Sequence, residues 1–169
     1  YDLNKIKGFV FDVDGVLSPN TVPMGADGIP MRMVNIKDGY ALRLATMHGY
    51  RIAIITGADS EAVRHRFSAL GIRDIYLKAS DKLPLLRQWL AKEELQPDEI
   101  MYAGDDIPDY ESMLAVGLAV APADAADDIK SIAGYISPCN GGYGVARDII
   151  EQTMRVQGEW MSKATAFGW

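Results

Sequence analysis

The sequence predicts an α/β fold, a mainly parallel, Rossmann-like sheet flanked by helices, with a β-hairpin flap leaving the sheet after its first strand. Two observations carry this. Short apolar runs alternate along the chain with segments of helical period, the pattern of strand–helix repetition. The runs are almost continuously apolar and rich in β-branched residues, which suits strands covered on both faces. A length of 169 residues fits one domain spanning 1–169.

The first strand is expected over residues 6–11 (IKGFVF), ending at Asp12-Val13-Asp14-Gly15. Residues 16–37 form the flap, with Asp27-Gly28 as the turn between Val22-Pro23-Met24 and Met31-Arg32-Met33-Val34. A helix follows over 38–48, stopped by Gly49, then a strand over 51–55 (RIAII) ending at Thr56-Gly57. Val63, Phe67 and Leu70 lie at helical spacing within 60–70, and Gly71 is the expected stop. A short strand over 74–77 precedes a helix over 81–94 with Leu83, Leu86 and Leu90 on one face. The fourth strand, 99–103 (EIMYA), ends at Gly104-Asp105-Asp106, and a helix over 107–116 follows. Runs at 117–120 and 134–137 read as two further strands, and 145–156 as the last long helix. The tail, about 158–169, carries Trp160, Phe167 and Trp169, which are expected either to pack on a neighbouring subunit or to stay disordered.

Composition narrows the class. Seventeen basic against 23 acidic residues give a formal charge of −6, a poor match to a nucleic-acid backbone. The single cysteine, Cys139, excludes an intrachain disulfide framework. No apolar run approaches the ~20 residues of a membrane span, and the first residues lack the layout of a signal peptide. The chain opens on Tyr1, so an earlier start is expected, and the expected compartment is the cytoplasm.

The polar residues of interest gather at strand ends. Asp12 and Asp14 follow the first strand, Thr56 the second, and Asp105, Asp106 and Asp109 the fourth. A parallel sheet brings these ends to the edge where such folds bind ligands. Two residues apart in extended chain, Asp12 and Asp14 point the same way, with Val13 turned inward. Carboxylates collected at one edge repel unless a hard cation neutralises them. Mg²⁺, held by a few oxygens plus water and a substrate phosphate, is the natural choice.

Four ordered motifs now resemble a known family: Asp12-Val13-Asp14-Gly15-Val16, Ile55-Thr56-Gly57, Lys82, and Gly104-Asp105-Asp106-Ile107-Pro108-Asp109. They look like those of haloacid-dehalogenase-superfamily phosphatases, over roughly residues 6–157. Asn35-Ile36-Lys37-Asp38-Gly39, the Ser60…Val63…Arg66…Leu70-Gly71-Ile72 run and Gly141-Gly142-Tyr143-Gly144…Arg147 resemble the capless branch acting on 3-deoxy-D-manno-octulosonate 8-phosphate. The resemblance implies that Asp12 attacks phosphorus to form an aspartyl-phosphate, while Asp14 protonates the leaving oxygen and then deprotonates water. It implies Mg²⁺ held by Asp12, Asp105 and the Asp14 backbone carbonyl. Thr56, the Gly57 amide and Lys82 would cradle the phosphoryl oxygens. Asp109 is expected to orient Lys82 or a metal-bound water, with Asp106 as a further supporting acid.

Relatives with a cap insert it between the first and second motifs or between the second and third. Here residues 15–55 and 57–81 are already occupied by the predicted elements, so no cap domain is expected. The resemblance implies a tetramer in which one subunit's flap covers a neighbour's site. It also assigns substrate recognition to Asp14, Gly57, Ala58 and Lys82 beside the reacting group and to Asn35, Ile36, Lys37, Asp38, Gly39, Arg43 and Arg66, with Arg147 as a further candidate, because a sugar acid presents a carboxylate suited to the arginine fork. Arg32, Arg51, Arg64 and Arg73 read as solvated, and His48 and His65 as ordinary helix residues. After Thr56-Gly57 the octulosonate branch often carries arginine, and a sister branch for nine-carbon 2-keto sugar acid phosphates carries glutamate. This chain has Ala58, and Ala69 where the sister branch tends to place lysine. The nine-carbon substrate stands as the alternative. A two-component receiver domain is a more distant one, but it needs its acceptor aspartate on a middle strand. A phosphate-binding relative without catalysis conflicts with intact Asp12, Asp14, Lys82 and Asp105. A Ca²⁺ loop fails because Val16, Leu17 and Ser18 occupy the remaining ligand positions.

Overall fold

A computed structural model describes residues 1–168. Six strands, β1 (Gly8–Phe11), β2 (Arg51–Ile55), β3 (Asp74–Tyr76), β4 (Ile100–Ala103), β5 (Leu118–Ala121) and β6 (Tyr135–Ile136), form one parallel sheet in the order β3-β2-β1-β4-β5-β6. The chain winds outward in one direction from β1 and then returns to its other side. The topological switch point therefore lies between β1 and β4, where open α/β sheets bind ligands. This order differs from the 2-1-3-4-5 order of receiver-type folds.

The pleat divides the core in two. Phe9 and Phe11 pack on one face of the sheet with α1 (Ile36–Met47), α2 (Glu61–Ala69) and α6 (Val145–Val156). Val10, between them, packs on the other face with α3 (Lys82–Glu93), α4 (Tyr110–Leu114) and α5 (Asp127–Ile132). Burial on both faces accounts for the continuous apolar runs. The helix α6 carries Val145, Ala146, Ile149, Ile150 and Met154 on its buried side, the spacing of one helical stripe.

Three elements differ from expectation. The helix α1 begins two residues early because Asn35 Oδ1 accepts from the amides of Lys37 and Asp38, at 2.9 and 3.0 Å, and so caps it. The predicted helix over 107–116 divides into a 3₁₀ turn, Ile107–Asp109, and the short α4. The six-residue α5 adds to the expected elements, being too short for its period to show in the sequence.

The flap holds only a single antiparallel bridge, between Met24 and Pro30, rather than two ladder strands. Pro23 and Pro30 remove the amides a longer ladder needs, although the turn closes through Gly28 N to Gly25 O at 2.9 Å. The tail packs on its own chain: Trp160 meets Tyr40 edge-on at 6.0 Å, and the Arg147 guanidinium lies 4.7 Å from the Trp160 ring centre. Phe167 remains exposed, and Trp169 lies outside the described residues. Cys139 sits in a loop, as expected. Among the described residues no helix is long and apolar enough to cross a membrane.

Candidate active site

At the carboxyl ends of β1, β2 and β4 lies a cavity of about 440 Å³ lined by Asp12, Asp14, Thr56, Gly57, Ala58, Lys82, Asp105, Asp106 and Asp109, together with Asn20, Ala79, Ser80 and Pro108. Every residue expected to perform chemistry reaches it. The loop after β1 turns sharply at Gly15, whose φ of +88° favours glycine, and a β-carbon there would lie 1.9 Å from Asp105 Oδ2. That close approach brings the β1 and β4 loops together. The glycine-rich segment braces the same turn from behind: Gly142 N donates to Val16 O at 2.8 Å, and a β-carbon on Gly141 would overlap the Gly15 carbonyl.

Lys82 is the first residue of α3, so the amino end of that helix faces the cavity. Its Nζ lies 3.0 Å from Asp12 Oδ1 and 2.8 Å from Asp109 Oδ1, with the Lys82 side chain 4% exposed. Burial pulls its ammonium pKa down, but the charges of Asp12 and Asp109 outweigh this and hold it above the usual lysine value. Asp109 is fully committed. Its Oδ1 also accepts from Tyr102 Oη at 2.9 Å, and its Oδ2 from Asp105 N at 3.1 Å. It anchors Lys82 and the β4 loop.

Carboxylate oxygens of Asp12, Asp105 and Asp109 lie within 4.8 Å of one another. At an effective dielectric of ~20, each ionised pair at such a distance repels by about 3 kcal/mol. Burial first, then the charge of Asp109, raises Asp12 to about 7 despite Lys82. Burial, then Asp12 and Asp109, raises Asp105 to about 8. A divalent cation reverses both effects, and the donor set is hard oxygen, as Mg²⁺ requires. With Asp109 engaged by three donors, Asp12 and Asp105 are the carboxylates left for the ion. Asp106 caps the following turn, accepting from Ile107 N at 2.9 Å.

Thr56 is buried, its Oγ1 accepting from Ala58 N at 3.1 Å. Ala79 N donates to Thr56 O at 2.9 Å and Lys78 N to Ala58 O at 3.1 Å, tying this loop to the one that leads into Lys82.

Of the residues expected to recognise substrate, Asp14, Gly57, Ala58 and Lys82 line the cavity, whereas those on α1, α2 and α6 do not line the cavity of their own chain. Asn35 caps α1 and donates to Gly142 O, at 3.4 Å. Asp38 is buried, and its Oδ1 accepts from Arg147 N at 2.7 Å, capping the start of α6. Burial raises its pKa to about 6, partly opposed by that bond. Gly39 is buried with it, whereas Ile36, Lys37 and Arg43 face solvent. Arg66, on α2, is half-buried. Arg147 stacks with Tyr40 and Trp160 rather than reaching the cavity.

One expectation is corrected outright. Arg32, read as solvated, extends from the flap to Asp14: Nε and Nη2 lie 2.7 and 2.9 Å from the two carboxylate oxygens, and the arginine side chain is 13% exposed. The sequence signal was faint, a lone cation between Met31 and Met33 in extended chain. His48, read as an ordinary helix residue, closes α1 with its side chain buried and its Nδ1 3.5 Å from Glu159 Oε2.

A cavity of acidic strand ends around one buried lysine, at the switch point of a 3-2-1-4-5-6 sheet, defines a phosphoryl-handling hydrolase, and the chain belongs to the haloacid dehalogenase-like hydrolases, whose profile matches residues 53–149. It is 36% identical over 154 residues to the 3-deoxy-D-manno-octulosonate 8-phosphate phosphatase of Escherichia coli K12, covering 91% of this chain and 82% of that one. The phosphatase of that name from Yersinia pestis superposes with a TM-score of 0.91 at 34% identity, over 95% of this chain and 86% of that one. The Moraxella catarrhalis enzyme, in complex with magnesium, phosphate and KDO, gives 0.90 at 29% identity, over 95% and 92% of the two chains.

Proposed function

We propose that the protein is a Mg²⁺-dependent phosphatase hydrolysing 3-deoxy-D-manno-octulosonate 8-phosphate to KDO and phosphate, a step in lipopolysaccharide precursor biosynthesis carried out in the cytoplasm. The observation that carries this is the placement of Asp12, two residues from Asp14, between Lys82 and Asp105 in one cavity. Asp12 attacks phosphorus; the bond from phosphorus to the sugar oxygen breaks, its electron pair stays on that oxygen, and Asp14 supplies the proton. Asp14 then takes a proton from water as the water attacks phosphorus, releasing phosphate and the Asp12 carboxylate. Thr56, Gly57 N–H and Lys82 hold the phosphoryl oxygens, where positioning and charge neutralisation dominate catalysis. The Asp12 and Asp105 carboxylates, with the Asp14 backbone carbonyl, would hold Mg²⁺, which when bound supplies positive charge to offset that of the phosphoryl group.

The active form is a homo-oligomer, a tetramer in which each flap completes a neighbour's site. Met24, Ile29, Met31, Met33 and Ile36 crowd one short segment and are all more than half exposed, an apolar surface that a lone subunit leaves in water. In that assembly Asn35 through Gly39, Arg43 and Arg66 would contact the sugar acid, some across the boundary between subunits. Ala58 lines the cavity without a charge, so it provides neither the arginine nor the glutamate of the two branches.

The test is phosphate release from a panel containing 3-deoxy-D-manno-octulosonate 8-phosphate, nine-carbon 2-keto-3-deoxy sugar acid 9-phosphates and hexose phosphates, with and without Mg²⁺. The eight-carbon acid should give the highest kcat/KM, and chelation should abolish turnover. A nine-carbon acid in first place would move the assignment to the sister substrate, and a hexose phosphate in first place would overturn it. Light scattering should show a tetramer; a fully active monomer would contradict the shared site.

A further inference from the structure

Asp14 must keep a carboxylate aimed into a cavity whose other acids repel it. Asp12 and Asp105 are near neighbours of the same sign, and the Asp14 side chain is 41% exposed, free to swing toward water. Its carboxylate is gripped by Arg32, both oxygens on the two prongs of one guanidinium. A bidentate fork fixes the plane of a carboxylate as well as its distance, which a single cation does not. The arginine is turned inward between Met31 and Met33, which face solvent. The flap thus presents an apolar surface outward and one cation inward.

We propose that Arg32 is a positioning residue for the hydrolysis, carried on the flap and holding Asp14 where it reaches the leaving-group oxygen. The inference rests on the acid–base reading of Asp14 given above. When Asp14 passes its proton to the departing alkoxide, negative charge develops on the carboxylate that the fork binds. The fork acts by holding the Asp14 carboxyl in place for that transfer. A leaving group that departs as a stable anion needs no proton and gains little from it.

The readout is the ratio of kcat/KM for 3-deoxy-D-manno-octulosonate 8-phosphate to that for p-nitrophenyl phosphate, measured on the full-length protein with Mg²⁺. Both constants report steps up to loss of the leaving group, which is an alkoxide in one case and a stabilised phenolate in the other. Arg32→Ala should lower the ratio at least about tenfold, a fraction of the ~10²–10⁴ general acids supply. Arg32→Lys, which keeps the charge without the fork, should recover part of the loss. In an Asp14→Asn background, adding Arg32→Ala should leave the ratio unchanged, because the two residues act as one unit. Parallel losses with both substrates in Arg32→Ala and Arg32→Lys would mean that the arginine only shapes the flap, and would overturn the proposal. An unaltered ratio in Arg32→Ala alongside a collapsed one in Asp14→Asn overturns the positioning role alone. A ratio that survives Asp14→Asn overturns the acid reading and this inference with it.

Discussion

Lys82 and Asp109 meet inside the molecule, Nζ to Oδ1 at 2.8 Å, with their side chains 4% and 1% exposed. The same aspartate receives the Tyr102 hydroxyl and the Asp105 amide, so one carboxylate organises a lysine, a strand and the following loop. Removing it breaks a buried ion pair, leaving Lys82 with Asp12 alone, and strands the Tyr102 hydroxyl and the Asp105 amide.

Asp109→Ala should accordingly destabilise the protein by ~3–5 kcal/mol. For a domain of this size that lowers Tm by roughly 6–20 °C in a thermal melt. An exposed pair such as Lys5–Asp98, 3.9 Å apart, should matter little when Lys5 is replaced by Ala. Equal melting points for Asp109→Ala and the parent would show that the cluster is not holding the loop.

Metal and pH are linked through Asp12 and Asp105. Burial, followed by neighbouring like charge, raises them to about 7 and about 8, above the ~3.9 of an unfolded aspartate. Between those limits the metal-free folded protein binds more protons than the unfolded chain, so its stability falls as pH rises and levels off above about 8. Mg²⁺ binds the ionised carboxylates and so must displace protons at low pH. In melts of chelator-treated protein, Tm should fall between about pH 5.5 and 8.5, and the rise on adding Mg²⁺ should grow over that interval. A Mg²⁺ increment largest at the acid end would contradict the linkage.

Asp38 separates a structural role from a substrate role. Its Oδ1 accepts from Arg147 N at 2.7 Å at the start of α6, and the residue is buried. Asp38→Ala strands that amide and should cost ~1–3 kcal/mol, read as a lower Tm. A severalfold rise in KM alongside that drop is expected if the carboxylate also contacts the sugar acid, and an unchanged KM would confine it to the helix.

Much of this was legible in the residues. Strand positions followed from runs such as IKGFVF and RIAII because both faces of the sheet are covered, and Gly71, at φ +94°, ends its helix region as expected. The convergence of Asp12, Asp14, Thr56 and Asp105 was readable because strand ends share an edge in a parallel sheet, whereas Lys82, on a helix, was placed there only by the family resemblance. Less was legible where a residue's role depends on a distant partner. Asn35 is expected to contact substrate and its oxygen also caps α1; a cap and a ligand demand the same side chain, so the sequence alone does not separate the two roles. Arg32 carried no periodic signal, since its inward direction is decided by a flap too short in hydrogen bonds to read as strands. The short α5 fell below the length at which periodicity registers.

On the proposed mechanism Asp12 becomes covalently phosphorylated during turnover. Acid-quenching the Mg²⁺-loaded protein while it hydrolyses phosphate-labelled 3-deoxy-D-manno-octulosonate 8-phosphate, followed by peptide mapping, measures this directly. Label is expected on the peptide carrying Asp12, none without Mg²⁺, and none in an Asp12→Asn variant whose melting shows an intact fold. Label at another residue, or Asp12→Asn turning over at near the parental rate, would contradict it.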